Sequence, residues 1–327
     1  METNTKSSQP VLLEVKNLKK HFQINTFNEG KQTVHALNGI SFLLRESETL
    51  GLVGESGCGK STAARAILRL VEPTSGEILY RNHNLIALKQ NKLRPLRKEM
   101  QIIFQDPFAS LNPRKRVRKI LEEPLDIHGL TKSKEKKERV AWLLDRVGLS
   151  LDQAEKYPHE FSGGQLQRIG IARAIALNPS LIIADEPVSA LDVSIRAQII
   201  NLLLDLKESM RISYLFISHD MNVVRHFCDR VAVMYLGRIV EIADSDSLYK
   251  TPRHPYTEAL LGAIPSIDPE AKKQGLTIKG DLPSTMDMPQ GCAFYSRCPI
   301  GEKRCEQSVP QLKEINSGHQ VACFLSG

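Results

Sequence analysis

The chain has 327 residues, 41% hydrophobic and 25% charged, with a formal net charge of +7. That composition belongs to a globular protein with a sizeable core, and no apolar run approaches the ~18 to 20 residues of a spanning helix. The polar start METNTKSSQP has no apolar h-region, which predicts a chain without a secretory signal, kept in the cytosol.

In chain order, VLLEV, VHALNGISFLL and TLGLV predict strands over residues 11–53, separated by polar turns. A helix is expected over 60–70 after a glycine-rich turn, and PTSGEILY returns to a strand through a Pro-Ser-Gly turn. MQIIF (100–104) is another short strand. From about 106 to 178, apolar residues recur at spacings of three and four in LEEPLDIHGL, RVAWLLDRVGL and QLQRIGIARAIAL, predicting helices. LIIAD (181–185), YLFIS (214–218) and VAVMY (231–235) then alternate with helices such as SIRAQIINLLLDLKES. Strands joined by crossover helices predict a parallel, doubly wound sheet. After about residue 245 the texture changes. A helix in TPRHPYTEALLGAIP precedes Pro- and Gly-rich, cysteine-bearing sequence, which reads as a small appended region.

The stretch Gly54, Glu55, Ser56, Gly57, Cys58, Gly59, Lys60, Ser61, Thr62 satisfies GxxxxGK(S/T) between a strand and a helix. Its glycines let backbone N–H groups wrap an anion, and the helix beginning near Lys60 adds its positive end. Lys60 would reach the β- and γ-phosphates, and the Ser61 hydroxyl would ligate Mg²⁺. LIIADEP adds two acids at the carboxyl end of an apolar strand, where ligands bind in open α/β sheets. Asp185 would hold the Mg²⁺ shell, and Glu186 would polarise the attacking water.

FSGGQ (161–165), together with the phosphate loop, Gln105 after a strand, ADEP, SALD (189–192) and ISHD (217–220), makes the chain resemble an ATP-binding-cassette ATPase. The resemblance implies an α/β P-loop NTPase fold, a RecA-like parallel core with an antiparallel β subdomain and an inserted helical subdomain near 106–178. It implies a cassette over 10–245 and an accessory region over 246–327. Phe22 matches the aromatic that stacks on adenine. Gln105 matches the residue that touches Mg²⁺ and the water and couples the site to a partner. Asp192 lies in the loop that crosses the dimer seam, and His219 matches the contact to the γ-phosphate that steadies Glu186. Ser162, Gly163, Gly164 and Gln165 open a helix and so form a second anion-binding tip. In the family that tip closes on the ATP held by the other subunit, so two ATPs are sandwiched head to tail. Phe22 as core and His219 as a helix-start polar residue are the bland alternatives.

FQDPFASLNPRKRV, RHPYTEALLGAIP and GCAFYSRCP look like the ATPase subunits of bacterial dipeptide, oligopeptide and nickel importers. The resemblance implies ATP hydrolysis driving import of a peptide-type solute from the cytoplasmic face of the inner membrane. Its implied partners are a second, different ATPase subunit, two membrane permease subunits and a solute-binding protein, with no nucleic acid. Segment 106–118 belongs to the region that meets the membrane subunits. The competing readings are a soluble cassette ATPase of DNA repair or translation, and a nucleotide-binding regulatory subunit without turnover. Three positions depart from the family pattern: Phe161 where Leu is commoner, Ser47 in a turn often held by Gly, and Cys58 where Ser is commoner.

Two further features leave alternatives open. The basic runs KLRPLRK (92–98), PRKRVRK (113–119) and KSKEKKER (132–139) are solvated helix faces or approach an anionic membrane. They lack the interleaved aromatics of a single-strand nucleic-acid binder. Cys292, Cys298, Cys305 and Cys323 crowd into the tail at spacings that fit neither a zinc knuckle nor a ferredoxin run. Four thiolates nonetheless suit a 4Fe-4S cluster or Zn²⁺, the subfamily's tail favouring the cluster, and the alternative is four packed thiols. Cys58, beside Lys60 and a helix start, is expected to be a thiolate whose alkylation blocks hydrolysis, or else an inert filler.

Overall fold

A computed structural model describes residues 9–26, 30–129, 133–264 and 283–326. Residues 1–8 and 265–282, on which the reading of the N-terminus and part of the tail rests, lie outside them. Among the described residues the strands are β1 (Val11–Thr26), β2 (Gly30–Arg45), β3 (Thr49–Val53), β4 (Ser75–Tyr80), β5 (His83–Asn84), β6 (Met100–Ile103), β7 (Leu181–Asp185), β8 (Ser213–Ser218), β9 (Arg230–Tyr235), β10 (Arg238–Asp244), β11 (Lys313–Asn316) and β12 (His319–Val321). The chain divides into two compact units: Met1–Pro10, Arg45–Glu48 and Ala87–Ile217 form the first, and Val11–Leu44, Thr49–Ile86 and Ser218–Gly327 the second.

In the first unit β6, β7 and β8 run parallel, with Ile102 opposite Ile183 and Ile183 opposite Leu215. Every residue of β7 and β8 is buried. That is why LIIAD and SYLFIS read as continuous apolar runs, and each large aliphatic there contributes about 1.5–3 kcal/mol by leaving water. The helices Val117–His128, Ser133–Arg146 and Gly163–Ile175 pack on one another. Arg139 ties the last two together, donating from Nη2 to the carbonyls of Ile175 (3.1 Å) and Ala176 (3.0 Å). Those carbonyls end a helix and have no partner within it. Ser47 adopts φ 56, so the serine takes the left-handed turn that glycine would take freely. Its N–H donates to Ser213 Oγ at 2.8 Å, which holds the turn to the start of β8.

The second unit holds a four-stranded sheet in the order β2-β1-β4-β5, with β1 antiparallel to β4 and β4 to β5. In its other sheet β3 lies parallel to β9, while β9, β10, β12 and β11 continue as antiparallel neighbours. The expected parallel sheet is therefore found at β6-β7-β8 and β3-β9 and becomes antiparallel beyond β9. The tail is stitched on by strand addition, Glu241 opposite Val321 and Ile242 opposite Gln320. No periodicity announced β11 and β12, which are only four and three residues long.

Candidate active site

The phosphate loop is built by the second unit. Gly54 has φ 154 and Gly59 φ 108, and a Cβ would stand 2.1 Å from the Met234 carbonyl oxygen at the first and 2.3 Å from that of Ala36 at the second. Only glycine lets the loop lie this close to its neighbouring strands. Lys60 is buried, and its ammonium donates to the carbonyls of Gly54 (2.8 Å) and Glu55 (3.0 Å), so the loop curls around its own cation. The helix Lys60–Ile67 has no side-chain cap and no acid in its first turn. An N-terminus left uncapped beside a lysine fits a phosphate. Ser56 and Gly57 are exposed on the loop, while Ser61 and Thr62 are half-buried at the helix start.

Cys58 corrects one expectation. It is 1% exposed, and burial raises its thiol above the ordinary value, outweighing the opposing pull of Lys60. The residue is a buried neutral filler, not a thiolate.

The acid pair belongs to the first unit. Asp185 ends β7 and is 3% exposed, better screened from water than the half-buried Glu186 that follows it. Glu186 follows at φ 47, a left-handed conformation that is costly for a non-glycine residue and clusters at functional sites. Its N–H donates to the Ile217 carbonyl at 3.0 Å, and its own carbonyl accepts from Ser189 Oγ at 3.1 Å, which pins the turn. Gln105 Nε2 donates to Glu186 Oε2 at 3.0 Å. The structure thus joins two residues, 81 positions apart, that the resemblance assigned to catalysis.

The FSGGQ segment lies in the same unit. Ser162 Oγ accepts from the Gln165 N–H at 3.4 Å, and Gln165 Oε1 accepts from the Ser162 N–H at 3.1 Å, a reciprocal capping box. Gly163 lies against Leu191, and a Cβ at Gly164 would stand 2.6 Å from Ile195 Cγ2. Gly164 is therefore also required for close approach to the helix that Asp192 caps through the Ile195 N–H at 2.9 Å. That capping bond, with help from Ser194, holds the Asp192 carboxyl below its usual range.

Phe22 is half-buried on β1 with the Lys20 ammonium 4.7 Å from its ring centre, so it is not a core residue. His219 is exposed directly after β8, ahead of Asp220, which caps the helix Met221–Phe227.

Two family models match the chain: "ABC transporter" over residues 37–189, and "Oligopeptide/dipeptide transporter, C-terminal region" over residues 240–305. The oligopeptide transport ATP-binding protein AppF of Bacillus subtilis is 51% identical over 326 residues, covering 98% of this chain and 99% of that protein. The chain belongs to the ABC-transporter ATPase family. The dipeptide transport ATP-binding protein DppF of Haemophilus influenzae is 46% identical over 98% of this chain and 99% of its own length. Among solved structures, the cassette MJ0796, a dimer in a post-hydrolysis state with ADP and Pi, matches with a TM-score of 0.64 at 30% identity, covering 71% of this chain and 98% of that one. This ABC ATPase thus has the fold read from its motifs, and the DNA-repair alternative finds no support in these relatives.

The ABC ATPase also has functional contacts that no motif announced, all within the second unit. Arg297 in the tail grips Glu55 of the phosphate loop, Nη1 to Oε2 at 2.9 Å and Nη2 to Oε1 at 3.2 Å. The Glu55 N–H donates to the Tyr256 hydroxyl at 2.9 Å. Tyr256 packs against Tyr235 and Phe294, with ring centres 4.7 and 5.4 Å away. Glu241, fully buried, accepts from the N–H groups of Arg253 (2.8 Å) and His254 (3.0 Å) and lies 2.7 Å from His319 Nε2. The only hint in sequence was that HPY and the cysteine-bearing tail share one chain end.

The tail cysteines correct a second expectation. Cys292, Cys298, Cys305 and Cys323 do converge, all lining one small cavity with His254 and Phe294. Burial pushes the Cys292 thiol up to about 11 and raises that of Cys298, so both are neutral when no metal is bound. Among the described residues, no group of three or more His, Cys, Asp or Glu is placed to hold a metal. A 4Fe-4S cluster or zinc site is therefore not supported, and the lobe reads as packed thiols.

Proposed function

We propose that this chain is the ATP-hydrolysing subunit of an importer of short peptides, ATP and water giving ADP and phosphate. The observation that carries the reading is the Gln105 amide on the Glu186 carboxylate at 3.0 Å, at the end of a fully buried strand. A carboxylate so held is oriented to accept a proton from water. Lys60 and the uncapped loop helix bind the β- and γ-phosphates, and Ser61, Asp185 and Gln105 are the residues that would hold Mg²⁺. The metal supplies charge neutralisation on the phosphates when bound. His219 contacts the γ-phosphate and steadies Glu186, and Phe22 offers its half-exposed ring to the adenine.

The peptide solute rests on the names of the relatives and on the matched tail family. In this reading the cassette spans 10–245 and the tail 246–327. A second cassette subunit, of a different chain, supplies its SGGQ tip to this chain's ATP. Two permease subunits lie against segment 106–118, where Phe108 is 57% exposed. Among the described residues no helix is long and apolar enough to cross a membrane, which suits a peripheral subunit on the cytoplasmic face.

Glu186→Gln tests the reading. Hydrolysis should fall at least ~100-fold while MgATP binding persists. Cells lacking the chain should lose uptake of a labelled oligopeptide, regaining it with the parent and not with the variant. Normal hydrolysis by Glu186→Gln, or undiminished uptake without the chain, would overturn it.

A further inference from the structure

The second unit holds a cavity of about 590 Å³ that the ATPase machinery does not use. It lies against β1, β2 and β10 of the cassette and against the tail, and it contains none of the phosphate-loop residues. Pockets of roughly 300–1,000 Å³ take small organic ligands.

Its walls are chemically divided. Phe42, Ile242, Phe294 and Leu312 supply an apolar side. Lys16, Arg230 and Arg238 face it with a single acid, Glu14, which is already paired with Lys16 at 3.0 Å. Arg230 donates to the Leu43 carbonyl at 3.3 Å. Arg238 is different. It is half-buried, and the Cys292 sulfur, on the same cavity wall, is its electrostatic neighbour. A carboxylate, taken bidentately, is the best-matched partner of a half-buried guanidinium.

A second donor lines the same cavity. His254 is 2% exposed, and its Nδ1 accepts from the Tyr256 N–H at 3.1 Å. The neutral ring therefore carries its proton on Nε2, which is a donor. The Arg238 guanidinium, an imidazole N–H and an apolar wall in one cavity suit an anion with an apolar body.

We propose that this cavity binds a small organic carboxylate carrying an apolar side chain, the free carboxylate of a short peptide or amino acid seated on Arg238. The choice of a peptide as probe rests on the import reading, whereas the carboxylate chemistry does not.

Calorimetric titration of the full-length protein with the dipeptide Leu-Leu, without nucleotide, tests this. Saturable binding is expected, weakened roughly tenfold or more by Arg238→Gln and by amidation of the dipeptide's C-terminus. Leu312→Trp, which fills the apolar side, should weaken binding similarly, and an unchanged circular dichroism spectrum and melting temperature verify that both variants fold. Leucine binding more tightly than Leu-Leu supports the site with an amino acid as its source; the reverse order supports it with a peptide. Absence of saturable heat up to about 10 mM, a weaker interaction than one of ~3 kcal/mol, overturns the proposal. So does equal affinity for the amide, equal affinity for inorganic phosphate, or full binding by Arg238→Gln. Because no nucleotide or membrane subunit is present, failure here leaves the import reading standing, and failure of import leaves these titrations unaffected.

Discussion

Arg297 holds Glu55 through two parallel hydrogen bonds, at 2.9 and 3.2 Å, across 242 positions of sequence. The arginine side chain is 9% exposed and the glutamate 27%, so the pair is shielded from most of the solvent that weakens surface bridges. Glu55 is the second residue of the phosphate loop, and Arg297 sits between Cys292 and Cys298 in the tail. The tail is therefore tied directly to the phosphate-loop motif. Arg297→Ala should raise the KM for ATP several-fold and lower the melting temperature. A double-mutant cycle with Glu55→Gln should give a coupling of about 1–2 kcal/mol. Coupling within about 0.3 kcal/mol of zero would remove the link.

Gly54→Ala drives a methyl group onto the Met234 carbonyl oxygen, which lies 2.1 Å from the ideal Cβ position. The backbone cannot yield as a flexible side chain would. Stability should fall by about 2 kcal/mol or more, and ATP binding should be lost, as read by urea unfolding and by nucleotide titration. Wild-type values in both assays would show that the loop tolerates a side chain at this position.

His254 gives a pH dependence. Its folded value is lowered to about 3 from the ordinary 6.5 by burial. Below about 6.5 the unfolded chain takes up a proton that the folded ring refuses until about pH 3. Stability from this group is therefore complete above 6.5 and is lost as pH falls through that window, by roughly 1.4 kcal/mol per pH unit at most. His254→Asn keeps an acceptor for the Tyr256 N–H and removes the titration. Urea midpoints between pH 7 and pH 5 should fall less steeply in the variant than in the parent, and parallel slopes would contradict the assignment.

Cys58 should resist alkylation. Iodoacetamide at pH 8 should label it at least ~10-fold more slowly in the folded protein than in urea, because burial holds it as a thiol. Mass spectrometry of the loop peptide reads the difference, and equal rates would restore the reactive-thiolate reading.

Several parts of this ABC ATPase were legible from local pattern. LIIAD announced a buried strand because four apolar residues in a row have no solvent face to serve. The cap-and-glycine run FSGGQ announced a helix start, and Ser162 with Gln165 forms the box that such spacing allows. Glu186 was legible as an acid at the end of that strand, Gln105 was named only through resemblance, and their 3.0 Å contact needed the packed strands.

What the sequence determined by itself was what is encoded within a few residues: the phosphate loop, the strand periods, the helix caps and the family. Only the tertiary structure decided that Cys58 is a buried filler, that Gly164 makes room for Ile195, that Arg297 reaches Glu55 and that Arg238 lines a cavity with His254. Torsional preference and capping act between near neighbours and so leave a mark in spacing. Burial and long-range pairing depend on which distant segments meet. A thiol's ionisation or a guanidinium's surroundings are therefore properties of the packed chain and of no short stretch of it.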